Sequence, residues 1–246
     1  MSCCLLDHFP VELIHYLFNY FSTHEIFYTF TNVSAYIDDV LRSYSNYSIN
    51  FKSISRKDFE IVCQRILPDQ VISLTLSDDE ETPGQVERFL SRFQINQFTR
   101  LRSLTIIDVG ADYWEEIMTK LVDLHELCSF IYEPTSTIHS WLCEISDENV
   151  TELDQRLFHS YAPVLPQLNR LKLSHGDFLG SVQFRSLRHL IIRKCRSDIL
   201  QRISHAAPQL KSLELTLECN LSNNEFHFSF EQLNRLILRI EGKITD

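Results

Sequence analysis

The chain has 246 residues, 44% hydrophobic and 23% charged, the balance of a globular protein rather than a disordered one. Its net charge of −10 disfavours general nucleic-acid binding. No apolar run approaches the roughly 20 residues that a membrane-spanning helix needs, and the first ten residues lack the basic region of a signal peptide. Seven cysteines without a C-x-x-C pair point to reduced, buried thiols and an intracellular compartment, cytoplasmic or nuclear.

Charge is unevenly spread. Residues 1–165 hold 11 Lys and Arg against 25 Asp and Glu (−14), and residues 166–246 hold 12 against 8 (+4). An acidic front meets a mildly basic back, which leaves room there for an acidic partner.

The first structured stretch runs from Leu6 to Tyr36. Pro10 suits the first turn of a helix, because its fixed φ is already helical and its missing N–H is not needed there. Behind it, Leu13, Ile14, Leu17, Phe18 and Phe21 recur at helical spacing. Ser22 and Glu25 form a capping box for a second short helix, whose apolar face is Ile26, Phe27, Phe30 and Val33. A third helical stretch follows to about Arg42. So many large apolar groups exceed what short helices bury among themselves, and some must meet the rest of the chain or a partner.

This stretch resembles the F-box. The matching positions are Leu6, Phe9, Pro10, Glu12, Leu13 and Ile14, then Leu17–Phe18, Phe21–Ser22, Ile26 and Val33–Ser34. The resemblance implies docking onto a Skp-type adaptor, and through it a cullin, in a ubiquitin ligase. The adaptor-binding residues it implies are Leu6, Phe9, Pro10, Glu12, Leu13, Ile14, Leu17, Phe18, Ile26 and Val33. Where the family often has a basic residue and an aromatic after the Val–Ser pair, this chain has Ala35 and Tyr36, then Asp38–Asp39. The alternative role for the same helices is a lid on the array that follows.

From Tyr47 onward a Leu-x-x-Leu-x-Leu/Ile line repeats. It occurs at Leu101–Leu104–Ile106, Leu168–Leu171–Leu173, Leu187–Leu190–Ile192, Leu210–Leu213–Leu215 and Leu233–Leu236–Leu238. Weaker copies stand at Ile72–Leu74–Leu76 and Leu124–Leu127, and one degenerate copy is expected near Ile145–Leu153. Helix-start signals fall between the lines: Ser55; Thr82 with Pro83 and Gln85; Asp112 with Glu115; Ser146; and Ser197. A strand and a helix repeating every 20–30 residues or so make a stacked array, since one unit cannot cover its own core. The chain resembles the irregular leucine-rich repeats that follow an F-box in many substrate receptors. Cys195, three beyond Ile192, stands near the Asn or Cys position of such repeats.

The expected fold is therefore α/β: a helical F-box module over 1–45, then a leucine-rich-repeat-like solenoid arc with a parallel sheet over 46–246. The last strand signal is followed only by Arg-Ile-Glu-Gly-Lys-Ile-Thr-Asp, so a capping element is not evident. In such an array the residues between the leucines face outward on the concave side. In the late copies these are Arg170 and Lys172, His189 and Arg193, Ser212 and Glu214, and Arg235 and Arg239. They form a mostly basic stripe, interrupted by Glu214, suited to an acidic or phosphorylated protein segment; the plain alternative is a sheet face with scattered charge.

Signals for catalysis are sparse. No phosphate loop, nucleophile elbow or H-E-x-x-H occurs. His139 and Cys143 share a helical spacing, yet nothing nearby supplies further metal ligands, and packing explains them. Asp78–Asp79–Glu80–Glu81 lacks the spacing of a Ca²⁺ loop and is expected to be solvated. Trp114 and Trp141 are expected to fill the core or line a groove. The expectation is a non-enzymatic substrate-recognition subunit without cofactor or metal. The alternatives are a repeat scaffold that never meets the adaptor and an enzyme of the hydrolase or metal-dependent kind.

Overall fold

Short apolar β-rich runs alternate with capped amphipathic segments along this chain, and in the computed structural model they become, among the described residues, eight strands and seven α-helices. The structure describes residues 4–133, 164–175, 179, 183–219 and 229–242. A 3-10 turn at Leu5–His8 leads into α1 (Val11–Phe18), α2 (Thr23–Phe30) and α3 (Ala35–Ser43). Then come β1 (Tyr47–Asn50), α4 (Arg56–Arg65), β2 (Val71–Ser77), α5 (Gln85–Leu90), β3 (Ser103–Ile107), α6 (Ala111–Lys120) and β4 (Ser129–Glu133). Beyond residue 163 follow β5 (Arg170–His175), β6 (His189–Arg196), α7 (Ser197–Ala206), β7 (Ser212–Cys219) and β8 (Arg235–Gly242).

All eight strands lie in one parallel sheet in chain order, β1 to β8. The repeated leucines set its register. Ile49, Leu74, Leu104, Phe130, Leu171, Leu190, Leu213 and Leu236 are successive partners across the strands. The first seven are buried on one face, because side chains alternate along a strand and this row points at the helices. In β6 one extra residue bulges between Ile192 and Cys195, which brings Cys195 opposite Leu217 and into the core.

One expectation about the array is corrected. The fourth copy is not centred on Leu127. Phe130 pairs with Leu104, so Leu127 takes the place of Leu101, and aromatic Phe130 and Tyr132 stand where leucines are expected. The degenerate copy expected near Ile145–Leu153 lies outside the described residues; β4 and β5 are direct neighbours, with Phe130 opposite Leu171.

Helix starts follow the expected caps in part. Ser22 donates its backbone N–H and its hydroxyl to the Glu25 carboxylate at 2.8 and 2.6 Å, and Ser55 accepts from the N–H of Asp58. Thr82 and Pro83 do not open α5. That helix begins at Gln85 behind Gly84, whose φ of +69° favours a residue without Cβ. Asp112 lies inside α6, which starts after Gly110. Ser197 is the first residue of α7, and Ser146 lies outside the described residues.

The helical part and the sheet share one core. Phe18, Phe27, Phe30, Ile37, Val40 and Tyr44 pack into the same cluster as Tyr47 and Ile49 of β1. The Phe27 and Tyr44 rings lie 5.0 and 4.8 Å from the Tyr47 ring, whose hydroxyl donates to the Leu41 carbonyl. Thr23, at the start of α2, donates to the Ser48 carbonyl at 2.7 Å and so covers the open edge of β1.

Candidate functional site

Two surfaces collect the expected site residues. The first is the outer face of α1–α3. Helical geometry divides α1 in two: Ile14 and Phe18 point inward and are buried, whereas Leu13 and Tyr16, with Tyr20 just beyond the helix, recur along the opposite side. Leu13 is 54% exposed, Tyr16 60% and Tyr20 68%, and Leu5, Phe9, Phe21 and Val33 are exposed as well. The Tyr20 hydroxyl donates to that of Tyr16 at 2.6 Å, holding the two rings edge to face.

Of the ten residues expected to meet an adaptor, Phe9, Pro10, Glu12, Leu13 and Val33 are exposed, and Leu6 and Leu17 are partly so. Ile14, Phe18 and Ile26 are core residues in this chain: each is at most 2% exposed and backs the surface from within. The residues after Val33 hold the three helices together. Ser34 caps α3 and donates to Asp7, the Tyr36 hydroxyl donates to the Phe9 carbonyl at 2.7 Å, and Asp38 accepts from the Asn32 N–H in the turn. Asp39 pairs with Arg42 on the exposed side of α3.

The second surface is the face of the sheet turned away from the helices. In the first half it is lined by Ser48, Ser73, Ser103 and Ser129 in one row and by Asn50, Thr75 and Thr105 in the next. In the second half these rows continue as Arg170–His189–Ser212–Arg235 and Lys172–Ile191–Glu214–Ile237. The charge is not all available. Lys172 pairs with Glu133 of β4, and Arg239 reaches Glu214 at 2.8 Å. Burial opposes ionisation of Glu133, but the Lys172 hydrogen bond and charge, with Lys52 and Arg193 nearby, hold its carboxyl below the usual range. Arg170, His189 and Arg235 are exposed and pair with no described acidic side chain. Glu133 is missing from the expected site, which takes only the late copies from Arg170 on; the Leu124–Leu127 signal, three residues upstream of the true register, does not show that Glu133 lies on this face either.

The acidic run after β2 is solvated at Glu80 and Glu81, but its first half is not. Asp79 is 9% exposed and accepts from the N–H groups of Glu81 and Thr82 and from the Thr82 hydroxyl at 2.7 Å. Burial raises its pKa, but these donors and the Ser77 hydroxyl outweigh it, so the carboxyl sits below its ordinary value. Asp78 accepts from the Val86 N–H at the start of α5, and there burial wins and the pKa rises. Asp79→Ala removes the shorter acceptor of the Thr82 hydroxyl and leaves it only the Ser77 carbonyl at 3.4 Å, and is expected to cost about 1–3 kcal/mol in denaturant unfolding at neutral pH. Because the folded pKa is depressed, this contribution is present above the unfolded value of about 3.9 and is lost as pH falls through the folded one. The gap between wild type and variant should therefore shrink in acid.

Other candidates resolve into packing. Trp114 is part of the core margin, its ring 4.2 Å from that of Tyr132. Cys63 and Cys195 are buried, and burial pushes the Cys63 thiol up to about 12; Cys128 is exposed, with its thiol donating to the Arg102 carbonyl. His139, Cys143 and Trp141 lie outside the described residues. Among the described residues, no group of three or more His, Cys, Asp or Glu is placed to hold a metal. A cleft of about 320 Å³ lies between the α2–α3 turn and the end of α4, lined in part by Asn32, Asp38, Arg42 and Gln70. Its polar groups bond one another: Asn32 to Asp38, and the Gln70 amide to the Arg42 carbonyl. No described helix is long and apolar enough to cross a membrane. Comparison with models of protein families, with curated proteins and with solved structures finds no match to this chain.

Proposed function

We propose that this chain is a substrate-recognition subunit of a Skp–cullin–F-box type of ubiquitin ligase. The outer face of α1–α3 docks on the adaptor, and the exposed face of the sheet holds a protein substrate. The observation that carries the reading is the division of α1. Its inner side is consumed by the core shared with β1, yet a row of large side chains, Leu13, Tyr16 and Tyr20, stays in solvent on the other, with Phe9 exposed just ahead of the helix. Capping the sheet therefore does not use up the apolar surface of this stretch, and exposed contiguous apolar groups of this kind mark interaction sites. The F-box resemblance supplies the identity of the partner. The subunit acts by position: one end is held by the adaptor, the other by the substrate, and acceptor lysines gain effective concentration near the conjugating enzyme.

For the substrate side, Arg170 and Arg235 are the groups with charge to offer, with the His189 imidazole in the same row across strands about 5 Å apart. They suit an acidic or phosphorylated segment laid across the strands. Replacing Arg170 and Arg235 with Glu is expected to weaken capture of a phosphoserine-rich acidic peptide by about tenfold or more per lost charge-assisted bond. Fluorescence anisotropy reads this, and unchanged affinity removes the assignment.

The docking itself is tested by gel filtration of the full chain with a purified Skp-type adaptor. Co-elution that disappears in Leu13→Asp is expected. Absence of co-elution favours a scaffold that acts without the adaptor.

A further inference from the structure

The two ends of the sheet differ. At β1 the helices cover the edge, and Tyr47 and Ile49 are at most 2% exposed. At β8, the last strand in the sheet order, Leu236, Leu238 and Ile240 are 43%, 37% and 59% exposed. Their partners one strand inward, Leu213, Leu215 and Leu217, are at most 1% exposed. Since side chains alternate, Leu236, Leu238 and Ile240 form one row on the core-bearing face. β7 hydrogen-bonds to one side of β8, and the backbone groups on its other side meet no described strand. An eight-residue edge with an apolar face is a template for a further strand.

We propose that β8 pairs antiparallel with β8 of a second copy, about a two-fold axis at Leu238, joining both sheets into one. The order of residues in the strand, Arg-Leu-Ile-Leu-Arg-Ile-Glu over 235–241, selects both the partner and the register. Centred on Leu238, Leu236 stands opposite Ile240 of the second copy, Leu238 opposite its equivalent, Ile237 opposite Arg239, and Arg235 opposite residue 241, a glutamate. Both apolar rows then lie on one face and become continuous. Centred on Ile237, Arg235 instead meets Arg239; centred on Arg239, the two copies of that arginine meet. Like charges directly opposite are destabilising. A centre between residues sets the apolar row of one copy against the polar face of the other. The Leu238 register is free of all three faults, and the closed two-fold pairing consumes both edges, leaving none to grow a fibre.

Sedimentation velocity of the full chain without adaptor tests this independently of docking. The expected result is a concentration-dependent dimer. Leu238→Asp should give a monomer with an unchanged circular dichroism spectrum. Arg235→Glu should weaken the dimer, and Arg235→Glu combined with Glu241→Arg should restore it, a rescue that holds as evidence even if Leu238→Asp fails to fold. A monomer at every concentration overturns the proposal, as it would if another segment or another protein covers the edge. So does a dimer that survives Leu238→Asp, or a charge swap that does not restore pairing.

Discussion

Replacing Phe89 with alanine is expected to destabilise this protein by about 3–5 kcal/mol, read as a lower midpoint in chemical unfolding. Phe89 belongs to α5, a helix of only six residues whose cap residue, Gly84, has no side chain to offer, so that Asp78 alone meets its first N–H groups. A helix this short does not persist on propensity alone, so its place depends on what it buries. Phe89 is wholly buried, and its ring centre lies 5.7 Å from Phe51, 5.2 Å from Phe93 and 5.6 Å from Phe98. Those rings come from the turn after β1 and the segment between α5 and β3. Phe51 also touches Phe59 of α4 at 4.7 Å. The cavity left by alanine would thus open between successive strand–helix units, where the aromatic cluster replaces the leucines of a more regular array. A change below about 1 kcal/mol would mean that these rings repack freely, against the close packing of protein interiors.

Phe18→Ala is expected to have an effect of similar size, with a second consequence. Phe18 is 1% exposed, and its ring lies 5.1 Å from Phe30 and 5.3 Å from Tyr44. It is the inward counterpart of the Leu13–Tyr16–Tyr20 row on the same helix. Its loss should cost about 3–5 kcal/mol and, at about 2–4 °C per kcal/mol for a chain of this length, lower the melting temperature by about 10 °C. It should also weaken adaptor binding, because α1 loses the packing that holds its outer face in place. Leu13→Asp should weaken binding while leaving the melting temperature nearly unchanged, since Leu13 is already 54% exposed. The contrast between inner and outer residues separates a docking surface from general fragility. If both variants lower stability equally, the outer row is structural.

Much of the sheet is legible in the leucines. The Leu-x-x-Leu-x-Leu line places two inward positions of each strand, and Leu104, Leu171, Leu190, Leu213 and Leu236 fall on one row of the register. Legibility fails where residue type departs from the pattern. Phe130 and Tyr132 do the work of leucines in β4, so the nearest leucines, Leu124 and Leu127, pull the reading upstream. That displacement hides Glu133, and with it the pairing that occupies Lys172. Thr82 has every local mark of a helix cap, but Asp79 claims its N–H and hydroxyl, and α5 starts three residues later. Sequence spacing shows which residues an α-helix can align. It does not show which of two faces the core takes, and that is why Ile14, Phe18 and Ile26 join Leu13 and Val33 in the expected site although the core claims them. The bulge in β6 has no local signature at all, yet it decides that Cys195 faces inward.

The most direct test of the docking claim is a calorimetric titration of the full chain with a purified Skp-type adaptor, run alongside Leu13→Asp. A one-to-one complex is expected, with a loss of at least about a hundredfold in affinity for the variant, the cost of burying an unpaired carboxylate in an apolar interface. No heat of binding with the wild-type chain, or equal affinity for Leu13→Asp, would contradict it.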